Sequence, residues 1–226
     1  MSRQAQDISQ GIRRLESHTA QIMEESNARG IAVGVVDRTG RILYEKYFGL
    51  RDAEKGLPIN RDTIFGMASV TKSFTALSIM QMQRDGILSV EDPVTRYIPE
   101  FTNKNQKENV RLWHLMSHSG GYFPLPRIVV DQTAREMGIA DSLEEELIFR
   151  EDFAEEGILR VAGRLDAQTH FTGKPGQRMS YCNDGFGLLS DIVRRHSGCG
   201  SFSAYLEEHI FKPLGMERSN ISFIRN

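Results

Sequence analysis

The sequence is poor in residues that build covalent or rigid scaffolds, with two cysteines, one tryptophan and seven prolines among 226 residues. Cys182 and Cys199 are too few for a disulfide framework or an all-cysteine zinc site, and nothing in the sequence requires them to pair. Charge of one sign is also lacking. The 28 Lys and Arg against 30 Asp and Glu leave a net charge of −2, which argues against a nucleic-acid partner or an anionic membrane surface. No run of about 18 apolar residues exists that could span a bilayer. The opening MSRQAQDISQ is polar and has no apolar core of a secretory leader. A soluble protein of a reducing compartment is expected, cytoplasmic, or periplasmic or secreted where a leader had been removed. Internal repeats and low-complexity tracts are absent too.

What remains is ordinary: 39% hydrophobic and 26% charged residues, enough to bury a real core and too apolar for a disordered chain. Residues 8–28 carry Ile8, Ile12, Leu15, Ile22 and Met23 at helical spacing, with Gly30 as the expected stop. Residues 31–37 read as a buried strand, 38–40 as a turn and 41–48 as the hairpin partner, followed by a loop over 49–62. Residues 69–85 predict a helix closed by Gly86. Its Phe74, Ala76, Leu77, Ile79, Met80 and Met82 leave little polar face, so burial on most sides is expected.

Beyond residue 100 the strand signal fades. Asp92-Pro93 opens a short helix that Pro99 ends, residues 103–109 form a solvated loop, and 111–117 a short helix with Trp113. Helical segments are expected over 131–162, with an acidic run at Glu144, Glu145, Glu146, Glu151 and Asp152 that reads as a solvated face. Residues 184–197 and 201–210 are helical in pattern, with Gly198 a stop and Ser201 an N-cap. The class is α+β, in two parts: a helix and hairpin over 1–66, and a mostly helical region over 67–226.

The chemistry begins at Ser69-Val70-Thr71-Lys72. On a helix starting near Ser69, positions i and i+3 share one face with Cβ atoms about 5–6 Å apart. A serine there sits at the positive end of the helix dipole, and a lysine desolvated beside it can take its proton. An S-x-x-K pattern is expected about once by chance in a chain of this length, so a helix cap followed by a surface lysine stays an equal reading. Tyr181-Cys182-Asn183 lies between a turn and a helix, and alternate residues of an extended tripeptide point the same way. Tyr181 could relay a proton and Asn183 hold a substrate carbonyl, against a half-buried aromatic and a helix cap. Cys182 points away by the same alternation.

Three blocks in order, Phe65-Gly-Met-Ala-Ser-Val-Thr-Lys72, Leu115-Met-Ser-His-Ser-Gly-Gly121 and Lys174-Pro-Gly-Gln-Arg-Met-Ser-Tyr-Cys-Asn183, resemble the serine β-lactamase-like superfamily. The likeness is to its branch of class C β-lactamases, D-alanyl-D-alanine carboxypeptidases and esterases. It implies an antiparallel sheet flanked by helices plus a mostly helical region. It also implies a serine hydrolase that acts through an acyl-enzyme on a D-amino-acid peptide, a small ester or a β-lactam, without a cofactor. Ser69 would be the nucleophile, Lys72 its proton partner, Tyr181 the general base and acid, and Asn183 a contact to the substrate amide. The Ser69 N–H would be half of an oxyanion hole. His114 and His118 have zinc-protease spacing without its glutamate, so no metal is expected.

One departure stands out. The family carries its third motif, K-T-G or H-x-G, on an edge strand well after the tyrosine; no such strand is expected after Tyr181, and His170-Phe-Thr-Gly173 precedes it as a decoy. An incomplete sheet is expected, its edge covered by a second copy or a second chain. The alternative function is a catalytically silent binding or scaffolding protein, or a fragment that needs another chain.

Overall fold

The computed structural model describes residues 3–106, 108–136 and 151–221. The chain divides into two compact units, Met1–Gly66 and Met67–Asn226. Among the described residues no helix is long and apolar enough to cross a membrane.

The first unit holds α1 (Arg3–Ser26), β1 (Gly30–Val36), β2 (Ile42–Asp52) and β3 (Leu57–Pro58). Its antiparallel sheet has the order β1-β2-β3. Register runs from Gly30 opposite Gly49 to Val36 opposite Ile42, with an irregularity between Val35 and Val36. The hairpin turn is built by Asp37, whose Oδ1 accepts the N–H of Thr39 at 2.8 Å and of Arg41 at 3.1 Å. Gly40 follows at φ +83°.

Three expectations change here. The helix stops at Asn27, in the left-handed region at φ 53°, while Gly30 opens β1. Gly30 instead lies in a close-packed place: a Cβ there would displace the Ile59 side chain, 2.0 Å from its Cδ1, and sit 3.0 Å from Leu50 O. β2 runs to Asp52 because Gly49, at φ +79°, lets the strand bend and continue. Leu50 N–H then donates to Arg29 O at 2.8 Å, and a short β3 joins the sheet. β1 is not a buried strand: none of its residues is fully buried, and Val36 is 61% exposed.

The second unit is helical: α2 (Thr71–Arg84), α3 (Leu112–Met116), α4 (Arg127–Glu136), α5 (Glu151–Asp166), α6 (Asn183–His196) and α7 (Phe202–Leu206). Asp92-Pro93 opens a short helix as expected, a single 3-10 turn at Val94–Arg96. Glu144, Glu145 and Glu146 of the acidic run lie outside the described residues. α6 is the hub, packed against α2, α3, α5 and α7. The reason is its apolar face: Phe186, Leu188, Leu189, Ile192 and Val193 are buried along it. Asp191, buried on the same helix, is held by Arg194 at 2.8 Å and Arg195 at 2.7 Å. A buried carboxylate without such partners would be costly.

α2 departs from its expected all-round burial. Thr75, Ser78, Ile79 and Met82 face the core, whereas Leu77 and Met80 are exposed. Small polar residues can be buried there because their hydroxyls bond back to the helix, as Ser78 Oγ does to Phe74 O at 2.9 Å.

Candidate active site

Ser69 lies on a tight turn, Ala68–Val70, immediately before α2 rather than within it. Ala68 is held at φ 43°, a left-handed conformation that costs a non-glycine residue roughly 1–2 kcal/mol. The turn presents Ser69 at the surface, and one helical turn on Lys72 reaches back to it, Nζ donating to Oγ at 3.3 Å. Lys72 is half-buried, its ammonium 4.9 Å from the Tyr181 ring centroid and 5.6 Å from that of Phe186. Aromatic faces attract a cation at this range.

Tyr181 arrives from 112 residues away, its hydroxyl donating to Ser69 Oγ at 2.7 Å. The loop that carries it is pinned to the segment after α3. Thr172 N–H donates to Gly121 O, Gly176 N–H to Ser119 O and Ser180 N–H to His118 O, each at 2.8 Å. Two glycines make that close approach feasible. A Cβ on Gly121 (φ +84°) would sit 2.6 Å from Gly173 O, and one on Gly176 (φ +82°) 3.0 Å from the Trp113 ring. The second and third sequence blocks thus lie against each other.

The Lys72 ammonium, more than the Ser69 hydroxyl, holds the Tyr181 phenol below its ordinary range. A lowered phenol is a better proton acceptor near neutrality. Asn183, the first residue of α6, is exposed on the same short stretch as Tyr181 and has no side-chain hydrogen bond among the described residues. Helix α6 has Cys182 as its cap, so Asn183 is not spent on capping. Cys182 itself is buried and free, its thiol pushed up to about 11 by desolvation. Cys199 is also free.

His118 is the residue that sequence reasoning missed. Its ring packs against Tyr181, tilted by 32° with centroids 4.2 Å apart, and lies 4.9 Å from Phe186. Its Nδ1 accepts the Cys182 N–H at 3.1 Å, which assigns the ring proton to Nε2. Burial, followed by the nearby Lys72 charge, keeps His118 below its ordinary value. His114 is used differently: its Nδ1 accepts Arg111 N–H at 2.9 Å and closes the start of α3. The 170–173 decoy is scaffold, with Phe171 against the Tyr122 ring and Thr172 bonded to Gly121 O. The position of His118 in a Ser-His-Ser-Gly-Gly run marks a turn, but nothing local indicates a partner 64 residues on.

The chain is 32% identical over 210 residues to "Esterase EstB" of Burkholderia gladioli, covering 90% of this chain and 50% of that protein. A solved structure of an octameric penicillin-binding protein homologue from Pyrococcus abyssi superposes with a TM-score of 0.71 at 34% identity. That match covers 91% of this chain and 43% of the other. A class C β-lactamase solved in complex with cefoxitin shares the fold, with a TM-score of 0.70, 21% identity and coverage of 94% and 51%. The chain therefore spans about half the length of the relatives it matches. A β-lactamase/transpeptidase-like fold follows, and with residues 15–222 matching the family model "Beta-lactamase", the chain belongs to the Beta-lactamase family.

Proposed function

We propose that this chain carries the nucleophile half of a serine hydrolase that cleaves an amide or ester through an acyl-enzyme. The observation that carries the reading is Ser69 Oγ bracketed by Lys72 Nζ at 3.3 Å and the Tyr181 hydroxyl at 2.7 Å. Ser69 attacks the carbonyl carbon while its proton passes to the Tyr181–Lys72 pair. The tetrahedral intermediate collapses as that proton moves to the leaving nitrogen or oxygen. Water, deprotonated by the same pair, then releases the acid and regenerates Ser69. Asn183 contacts the substrate amide, and the Ser69 N–H supplies one oxyanion donor. Removing a single donor of this kind typically costs about 2.7–4 kcal/mol, so the site gains much from a second one. D-amino-acid peptides, small esters and β-lactams are the substrate classes proposed, in line with relatives named as an esterase, a penicillin-binding protein homologue and a β-lactamase.

Among the described residues β1 is an edge strand, which supports association with a second copy or a second chain. Val36, Ile42 and Leu43 around the hairpin tip are all more than 45% exposed, and an open edge invites pairing. Sedimentation showing a monodisperse monomer would remove that part of the proposal.

A silent binding or scaffolding protein is the second reading, since Ser69 and Asn183 are both exposed and can hold a ligand without turning it over. One experiment separates the two. A fluorophosphonate or penicillin adduct on Ser69, read by mass spectrometry and abolished in Ser69→Ala, is expected together with ester turnover. Ligand binding with neither adduct nor turnover favours the silent reading.

A further inference from the structure

Away from Ser69, the loop after α6 and the turn after α7 bring together three metal-ligating side chains that the reaction does not use: Cys199, Glu208 and His209. Each offers one ligand atom, and the three atoms lie within 4.8 Å of one another.

The backbone that creates this cluster is unusual on both sides. Cys199 sits between Gly198 at φ +81° and Gly200 at φ +79°, a double left-handed loop that ordinary residues would resist. Opposite it, α7 gives way to a π-helical turn, Glu207–Phe211, closed by the Lys212 N–H to Glu207 O bond at 3.0 Å. Such wide turns reduce the angle between successive side chains and recur at functional sites. Here the adjacent Glu208 and His209 both face the Cys199 loop.

The spacing suits one ion. Zinc binds thiolate at about 2.3 Å and imidazole nitrogen at about 2.0 Å, so a tetrahedral pair sits about 3.5 Å apart. Cys199 Sγ and His209 Nε2 are 3.5 Å apart. Glu208 Oε2 is 4.0 Å from Sγ, a gap that a side-chain rotation closes. The His209 ring is steadied by Tyr205, stacked at 4.4 Å, and the Tyr205 hydroxyl donates to Gln81 Oε1 at 3.3 Å. Gln81 Nε2 in turn donates to His209 O at 3.3 Å, so α2 supports the ligand from behind.

We propose that Cys199, Glu208 and His209 form a zinc site with a fourth position open to water. A sulfur, a nitrogen and an oxygen ligand at tetrahedral spacing favour zinc over magnesium or calcium, which prefer all-oxygen shells. Binding releases the Cys199 thiol proton and leaves the metal oxidation state unchanged. The ion clips the loop after α6 to the turn after α7.

Cobalt(II) serves as the probe, because a thiolate ligand gives it a charge-transfer band in the near ultraviolet. Titration of the full chain with cobalt(II) is expected to saturate at one ion, with zinc(II) displacing it and erasing the band. Cys199→Ser should abolish the band, and His209→Ala should weaken binding at least about 100-fold, since even outer partners of metal ligands are worth 10–100-fold. Cys182→Ser should leave the titration unchanged. Circular dichroism of each variant checks that it is folded. The proposal is overturned by a folded wild-type chain that shows no band, or by a band that survives in Cys199→Ser.

Discussion

Replacing His118 by Asn tests how the Tyr181 loop is held. The backbone there has φ 54°, which Asn adopts with little strain, so the substitution removes the ring and spares the turn. Of the contacts the ring makes, two hold the Tyr181 loop: its tilted packing on Tyr181 at 4.2 Å and the acceptor for Cys182 N–H at 3.1 Å. The ring packing is worth about 0.5–1.5 kcal/mol, and a part-buried N–H left without a partner costs about 1–3 kcal/mol. The expected loss is therefore roughly 1.5–4.5 kcal/mol, which lowers Tm by roughly 3–18 °C in a chain of this size. Function should fall further than stability alone explains. With Tyr181 no longer braced, a displacement of about 1 Å at its hydroxyl reduces the acylation rate about 100-fold. The assay is fluorophosphonate labelling below the Tm of the variant, which reads rate and stoichiometry separately. One label per chain at a reduced rate, with substrate affinity little changed, is expected. A destabilised variant that acylates at the wild-type rate refutes the positioning role.

Tyr181→Phe keeps both ring contacts and removes only the hydroxyl on Ser69, so acylation should fall about 10²–10⁴-fold with Tm within about 2 °C of wild type. Because hydrogen bonding from Lys72, and then from Ser69, lowers the Tyr181 phenol, acylation should rise with pH and level off below the ordinary phenol range. Lys72→Met should move that rising limb to higher pH, and an unmoved limb would count against the pairing. Asp166 is buried at the end of α5 and accepts Asn103 N–H at 2.7 Å and Thr102 Oγ1 at 2.8 Å. Asp166→Ala should cost roughly 2–4 kcal/mol in urea denaturation without moving the pH profile. Gly121→Ala meets Gly173 O across the two segments that hold Tyr181, and its φ alone costs roughly 1–2 kcal/mol. Slowed labelling of Ser69 with the core intact is the expected outcome, followed by mass spectrometry.

Local pattern was enough for the helices of the second unit and for the hairpin, because apolar spacing at 3.6 and 2 residues follows directly from which face is buried. It also marked Ser69, Lys72, Tyr181 and Asn183, since an i, i+3 pair and an alternating tripeptide are properties of the chain itself. What local pattern could not contain was burial set by distant partners. Thr75 and Ser78 are buried on α2 while Leu77 and Met80 are exposed, and β1 has no fully buried residue. Both outcomes depend on what packs on each face. The helix stops at Asn27, in the left-handed region, whereas Gly30 lies within β1 beside Ile59.

The sequence by itself determined the family resemblance, the order of the helices and a serine with a lysine one turn away. Only the tertiary structure decided that Tyr181 reaches that serine from 112 residues on. It alone showed that His118 lies against Tyr181, and that Cys199 faces Glu208 and His209 across a π-helical turn. The physical reason is range. Helical periodicity and capping act within one or two turns of chain, whereas a bond between residues 112 apart depends on the whole core that packs around α6.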